Sequence, residues 1–174
     1  LPAGAALADA YSDTATLFRN AGTSAGFFGS SYGYAVFPTI GKGGFGIGGA
    51  HGDGRVYEHG KYVGDTSMTQ VSFGFQFGGQ AYSEIIFFQD KRAFDAFTNG
   101  KFALSGNVSA VAITAGASAS AGTAGSSASA SGGQKDARTA GTYQDGLAVF
   151  TIAKGGLMYE ATVAGQKFSY RPRD

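Results

Sequence analysis

The chain has 174 residues, 30 of them glycine and 3 proline, and its 13 Lys and Arg against 12 Asp and Glu give a formal net charge of +1. This length is one ordinary domain, able to bury about 70% of its unfolded surface, and 43% hydrophobic residues exclude wholesale disorder. Near-neutrality excludes nucleic-acid binding through a broad basic surface, and the lack of cysteine excludes a disulfide framework, a thiolate metal site and a cysteine nucleophile.

Leu7, Ala10, Tyr11, Leu17 and Phe18 recur at three-four spacing, which predicts an amphipathic helix over 5–20 stopped at Ala21-Gly22. Asp9, Ser12, Asp13 and Thr16 on its polar side, with Arg19 the one cation, suit docking on a core better than lying on anionic lipid. From Ser31 to Gln80 the period changes to two. Tyr32, Tyr34 and Val36 alternate, as do Phe45 and Ile47, and then Val71, Phe73, Phe75 and Phe77, the pattern of half-buried antiparallel strands. Asp53-Gly54 between such runs predicts a tight hairpin turn. That places His51 opposite Val56 on a side shared with Glu58, with His59 pointing away. Glycines alternating along these strands predict close backbone approach or sharp bending of the sheet.

Ile85-Ile86-Phe87-Phe88 reads as a strand buried on both faces. Asp90 then caps a short helix with Ala93, Phe94 and Phe97 inward, ended by Asn99-Gly100. Val111 and Ile113 lead into small Ala-Ser alternation, and 122–133 reads as a glycine-serine loop. Strands are expected again over 147–150, 157–163 and 167–170. No stretch offers the roughly 18 strongly apolar residues of a membrane-spanning helix. The sum is a single α+β domain over residues 1–174. It is a mainly antiparallel, strongly curved glycine-rich sheet or partial β-barrel, with an N-terminal helix and a short central helix.

Several motifs fail on context. Gly41-Lys42-Gly43-Gly44-Phe45-Gly46 fits the dinucleotide pattern, but a glycine-interrupted strand follows where a helix must present its amides; no cofactor is expected. Gly22-Thr23-Ser24-Ala25-Gly26 and Gly29-Ser30-Ser31-Tyr32-Gly33 fit the nucleophile elbow, yet both fall between a helix and a strand in the wrong order. His51, Asp53, Glu58 and His59 are too divided between hairpin sides to converge on a metal. Asn107-Val108-Ser109 fits a glycosylation sequon, which matters only on a eukaryotic secretory route.

The cations carry more. Ala35-Val36-Phe37-Pro38-Thr39-Ile40-Gly41-Lys42-Gly43-Gly44 is echoed by Ala148-Val149-Phe150-Thr151-Ile152-Ala153-Lys154-Gly155-Gly156, which implies two Lys-Gly-Gly corners in similar settings. Such corners either hold a phosphate or headgroup on an ammonium and glycine amides or are solubilising turns. Lys167-Phe168-Ser169-Tyr170-Arg171-Pro172-Arg173 either rests at a membrane interface or forms a last strand with a charged tail.

Ala35-Val36-Phe37-Pro38, Lys42-Gly43-Gly44-Phe45-Gly46, Gly48-Gly49 and Gly52-Asp53-Gly54 together resemble the SYLF domain family. The segments Gly78-Gly79-Gln80-Ala81-Tyr82-Ser83-Glu84, 94–100 and Gly155-Gly156-Leu157-Met158 resemble it too. The resemblance runs from the first helix through nearly the whole chain and is nearest the bacterial branch. It implies a non-enzymatic domain that binds membrane phospholipid headgroups, with actin filaments a partner in the fungal branch. It also implies export as an envelope lipoprotein, which would fit a chain that opens at Leu1 after a removed leader. On this reading Lys42, Arg55, Lys61, Lys154, Lys167, Arg171 and Arg173 are candidate headgroup contacts, with nearby aromatics entering the interface. Two rival readings are a structural or protein-partner module of the cell envelope and a serine hydrolase using His51 or His59.

Overall fold

Apolar side chains on both sides of one central strand dictate the architecture. In β4 (Tyr82–Phe88) every residue is buried, so the sheet is covered on each face. Ile86 and Phe88 join one cluster with Ala35, Phe37, Ile40, Val56, Met68 and Phe168. Ile85 and Phe87 join another with Tyr34, Val36, Ala148, Phe150 and Ile152. Each fully buried phenylalanine contributes about 1.5–3 kcal/mol, so the paired cores are the main source of stability. The protein is seen as a computed structural model that describes residues 2–42, 49–70, 81–104, 110–112, 139, 141–154, 159–161 and 165–173.

Around β4 the chain builds a curled, mainly antiparallel half-barrel. The strands are β1 (Gly33–Lys42), β2 (Ala50–Glu58), β3 (Lys61–Gln70), β4, β5 (Phe102–Ala103), β6 (Ala110–Ala112), β7 (Leu147–Ala153), β8 (Tyr159–Ala161) and β9 (Lys167–Pro172). Their order across the sheet is β5-β9-β3-β2-β1-β4-β7-β6-β8. The antiparallel α+β architecture matches the sequence expectation. The strands expected around Phe45 and over 71–78, and the loop over 122–133, lie outside the described residues.

Helix α1 (Pro2–Arg19) docks Ala15 and Phe18 on the second cluster, while Ser12, Asp13 and Thr16 face solvent. After a short 3-10 turn (Thr23–Gly26), α2 (Phe27–Ser30) adds Phe27 and Phe28 to that face. The Phe27 ring centroid lies 5.1 Å from Phe150, and that of Phe28 5.0 Å from Phe87. Helix α3 (Lys91–Phe97) covers the opposite face with Ala93, Phe94 and Phe97. Its cap is as expected: Asp90 Oδ1 accepts from the Ala93 amide at 2.9 Å, and Gly100 takes φ +89° beyond its end.

Two expectations about the strands need correction. β1 is not half-buried: Tyr34, Val36, Ala35 and Phe37 are all interior, on alternate faces. Its ladder shifts register around Pro38-Thr39, where proline has no amide to donate. Nor is Asp53-Gly54 a turn. It lies within β2, where a Cβ on Gly54 would stand 2.6 Å from the Phe37 ring and 2.7 Å from the Val36 carbonyl. The glycine therefore makes room for a core aromatic. The β2–β3 turn is His59-Gly60, with φ +53° and +83° and Glu58 paired to Lys61, the backbone of a type I′ hairpin. His51 accordingly does not meet Glu58; its Nε2 lies 3.4 Å from Asp53, while Glu58 accepts from the Tyr32 hydroxyl.

Candidate functional site

On the face that carries α1, charged side chains form a row across three strands. Arg55 of β2 stands opposite Asp65 of β3, which stands opposite Arg171 of β9. The next row is Asp53, Ser67 and Ser169, with the serine hydroxyls 2.7 Å apart. Asp65 and Arg171 of the first row, the whole second row and Tyr11 of α1 line a groove of about 530 Å³.

Aromatic rings hold the arginines. The Arg55 guanidinium carbon lies 4.4 Å from the Tyr11 ring centre and 4.5 Å from that of Tyr62. Arg173 lies 4.3 Å over the same Tyr62 ring. Cation–ring contacts of this kind are worth about 0.5–1 kcal/mol at exposed sites. Tyr62 shares this side with Asp65 although three positions separate them, because the register slips at Val63. Val56 pairs with Gly64, and the next residue, Tyr57, pairs with Tyr62. An extra residue in one strand redirects the side chain beyond it. The Tyr62 hydroxyl then donates to Asp65 Oδ1 at 2.5 Å. Partial burial, then this bond, raises the Tyr62 pKa, and burial chiefly raises that of Tyr11, so both phenols stay neutral.

The structure divides the candidate headgroup contacts into two groups. Arg55 and Arg173 come together on Tyr62, Arg171 stands opposite Asp65 beside them, and Lys61, exposed beside the His59-Gly60 turn, lies at the same end of β3. Lys42, Lys154 and Lys167 fall at the opposite end of the sheet. Lys42 pairs with Ala50, the Lys154 amide bonds the Ala81 carbonyl at 2.9 Å, and Lys167 pairs with Thr69. β1 and β7 both flank β4, so Lys42 and Lys154 stand at the same end of the sheet. One strand stands between them, a backbone separation of about 10 Å. Partial burial lowers the Lys154 pKa. Sequence alone does not single out Tyr11, Tyr62 or Asp65 as site residues, and it offers Asp53 only as a metal ligand that fails on geometry. Neither the bulge nor the helix docking that gathers them leaves a short-range signal.

Away from the groove, Glu84 is fully buried among hydrogen-bonding side chains. Gln166 Nε2 donates to Glu84 Oε1 at 3.0 Å and to the Tyr82 hydroxyl at 2.9 Å. Glu84 pairs across the ladder with Phe37 and Thr151. Among the described residues no cation shifts it, and desolvation pushes its pKa up to about 8 against the pull of the Gln166 bond. It is a neutral acid at neutral pH.

The serine motifs have structural roles or no base. Ser24 is buried and donates to the Phe18 carbonyl at 2.7 Å. Ser31 and His59 share a depression of about 290 Å³ with Arg19 and Tyr34, but no hydrogen bond joins the pair among the described residues. Also among them, no group of three or more His, Asp or Glu side chains could hold a metal, and no helix is long and apolar enough to cross a membrane.

A family model described as Ysc84, Las17-binding protein actin regulator, matches residues 69–173. Among curated proteins none matches the chain. The family description names a binding protein and a regulator. The matched span contains Glu84, the flanking strand β7, and Lys154, Lys167, Arg171 and Arg173. With more than half of its length matched, and with the motifs of that same group in place, the chain belongs to the Ysc84, or SYLF, family.

Proposed function

We propose that the domain is a non-enzymatic module that binds phospholipid headgroups at a membrane surface of the cell envelope, using the arginine–tyrosine face of β2, β3 and β9. The observation that supports this reading is the stack of Tyr11, Arg55, Tyr62 and Arg173 beside an open groove. Guanidinium groups propped on aromatic rings meet phosphate oxygens in pairs. Tyrosine bodies suit the headgroup layer, apolar along the ring and wet at the hydroxyl. Affinity is modest, because each well-placed cation adds about 1 kcal/mol near an anionic surface.

Sedimentation with phosphatidylcholine vesicles of rising phosphatidylglycerol content tests it. Pelleting should increase with the anionic fraction, fall with salt, and weaken roughly 30-fold in the double variant Arg171→Gln, Arg173→Gln. Equal pelleting on neutral and acidic vesicles would remove the proposed phosphate contacts.

A protein partner is the second reading, favoured by one feature of the sheet edge. Two-residue β5 covers β9 only at Phe168 and Lys167, so Ser169–Pro172 has no further strand beside it among the described residues. Actin binding, as in the fungal branch, would use such a surface. The test is co-sedimentation with actin filaments in the absence of lipid.

A further inference from the structure

We infer that the groove between α1 and β9 recognises a zwitterionic phosphoethanolamine group, an ammonium joined to a phosphate by a two-carbon spacer. This rests on the phospholipid reading above and specifies its headgroup. Arg55, Asp65 and Arg171 form a plus-minus-plus row, directly opposite one another across adjacent strands. Opposite charges so placed ordinarily close on each other. Here they do not: the ion pairs among the described residues are His51–Asp53 and Lys91–Asp95, and neither arginine has a nitrogen within ion-pairing distance of Asp53 or Asp65.

The separation has a physical cause. Arg55 is clasped between the Tyr11 and Tyr62 rings, and Asp65 is held by the Tyr62 hydroxyl instead of a guanidinium. Asp53, 74% exposed in its side chain, has the His51 ring as its ion-pair partner among the described residues. Both carboxylates and Arg171 line the one groove, with Ser67 and Ser169 between them. It thus carries anionic and cationic residues on neighbouring strands, whose backbones run about 4.8 Å apart, a scale that suits a short two-carbon spacer. A polyanionic headgroup would meet Asp53 and Asp65 as repulsion, so the arrangement selects against it. A trimethylated ammonium fits less well, because it has no N–H to donate to a carboxylate. The chemistry is common to a lipid headgroup and to a free phosphoethanolamine.

Calorimetric titration of the intact chain with soluble O-phosphoethanolamine, phosphocholine and inorganic phosphate separates these terms. Phosphoethanolamine should bind tightest. Asp65→Asn and Asp53→Asn should each reduce its advantage over phosphate about fivefold while leaving phosphate binding unchanged or stronger. Asparagine at 65 keeps an acceptor for Tyr62, and position 53 is open to solvent, so neither variant endangers folding. Arg171→Gln should weaken all three ligands. Equal affinity for phosphoethanolamine and phosphate, or asparagine variants that keep the preference, would overturn the inference. In a vesicle arm, phosphatidylethanolamine replaces phosphatidylcholine at constant phosphatidylglycerol and should increase pelleting. Vesicle binding with no ethanolamine preference refutes this inference alone. Soluble binding without any vesicle binding refutes the membrane reading and leaves the groove's chemistry standing.

Discussion

Replacing Glu84 by glutamine should stabilise the protein at neutral pH, and by an amount that grows with pH. The native state binds the Glu84 proton up to about pH 8, whereas the exposed carboxyl releases it near 4.5. Between those values the unfolded chain holds fewer protons than the folded one, so stability falls as pH rises. Below pH 4.5 the contribution is intact, and above about 8 the loss levels off. Two and a half pH units above 4.5, at pH 7, the deficit amounts to about 3.4 kcal/mol at about 1.4 kcal/mol per unit. Glutamine has the same shape, keeps a carbonyl oxygen for the Gln166 amide, puts N–H donors where the acid has its O–H, and never ionises. Urea unfolding of both proteins at pH 5, 6, 7 and 8 provides the comparison, with the difference between them cancelling the histidines that titrate in the same range. The advantage of Glu84→Gln should widen by about 3–4 kcal/mol from pH 5 to pH 8, at constant denaturant slope. Parallel curves would show that the carboxyl is not held protonated in the fold.

The two strand-and-turn glycines should respond differently to alanine. Gly54→Ala drives a methyl into the Phe37 ring and the Val36 carbonyl and should cost about 2–3 kcal/mol. Gly60→Ala meets nothing within 4 Å but retains φ +83°, for about 1 kcal/mol; thermal melts should rank them in that order. Asp90→Ala removes the acceptor for the Ala93 amide and should cost about 1 kcal/mol, seen by urea unfolding at pH 7. Tyr62→Leu should lower vesicle affinity by freeing Arg55 and Arg173 from their shared ring. Tyr62→Phe should retain most of it, since the ring and not the hydroxyl holds the guanidinium groups.

Elements with strong local grammar were readable from the sequence. The first helix, the buried run Ile85-Ile86-Phe87-Phe88 and the Asp90 cap each depend on residues within a turn or two of one another, so spacing alone located them. Asp53-Gly54 misled because it has the right turn chemistry in the wrong place. His59-Gly60 supplies the same positive φ angles, and the Phe37 ring, far off in sequence, decides between the two. Among candidate contacts, cation identity was visible but grouping was not. The pairing of β3 with β9 brings Arg171 beside Asp65, and the slip at Val63 turns Tyr62 towards them. Period-two reading places Tyr62 and Asp65 on opposite sides and cannot foresee that slip.

Pairing of the third strand with the last brings Thr66 and the Ser169 carbonyl, 103 positions apart, within hydrogen-bonding distance. The proposed recognition surface is thus a product of the folded domain and is absent from any peptide that lacks either strand. Whatever occupies that surface must favour the fully assembled state over every partly folded one. Its affinity can therefore be read as a rise in melting temperature, without a label, a vesicle or an assay of activity.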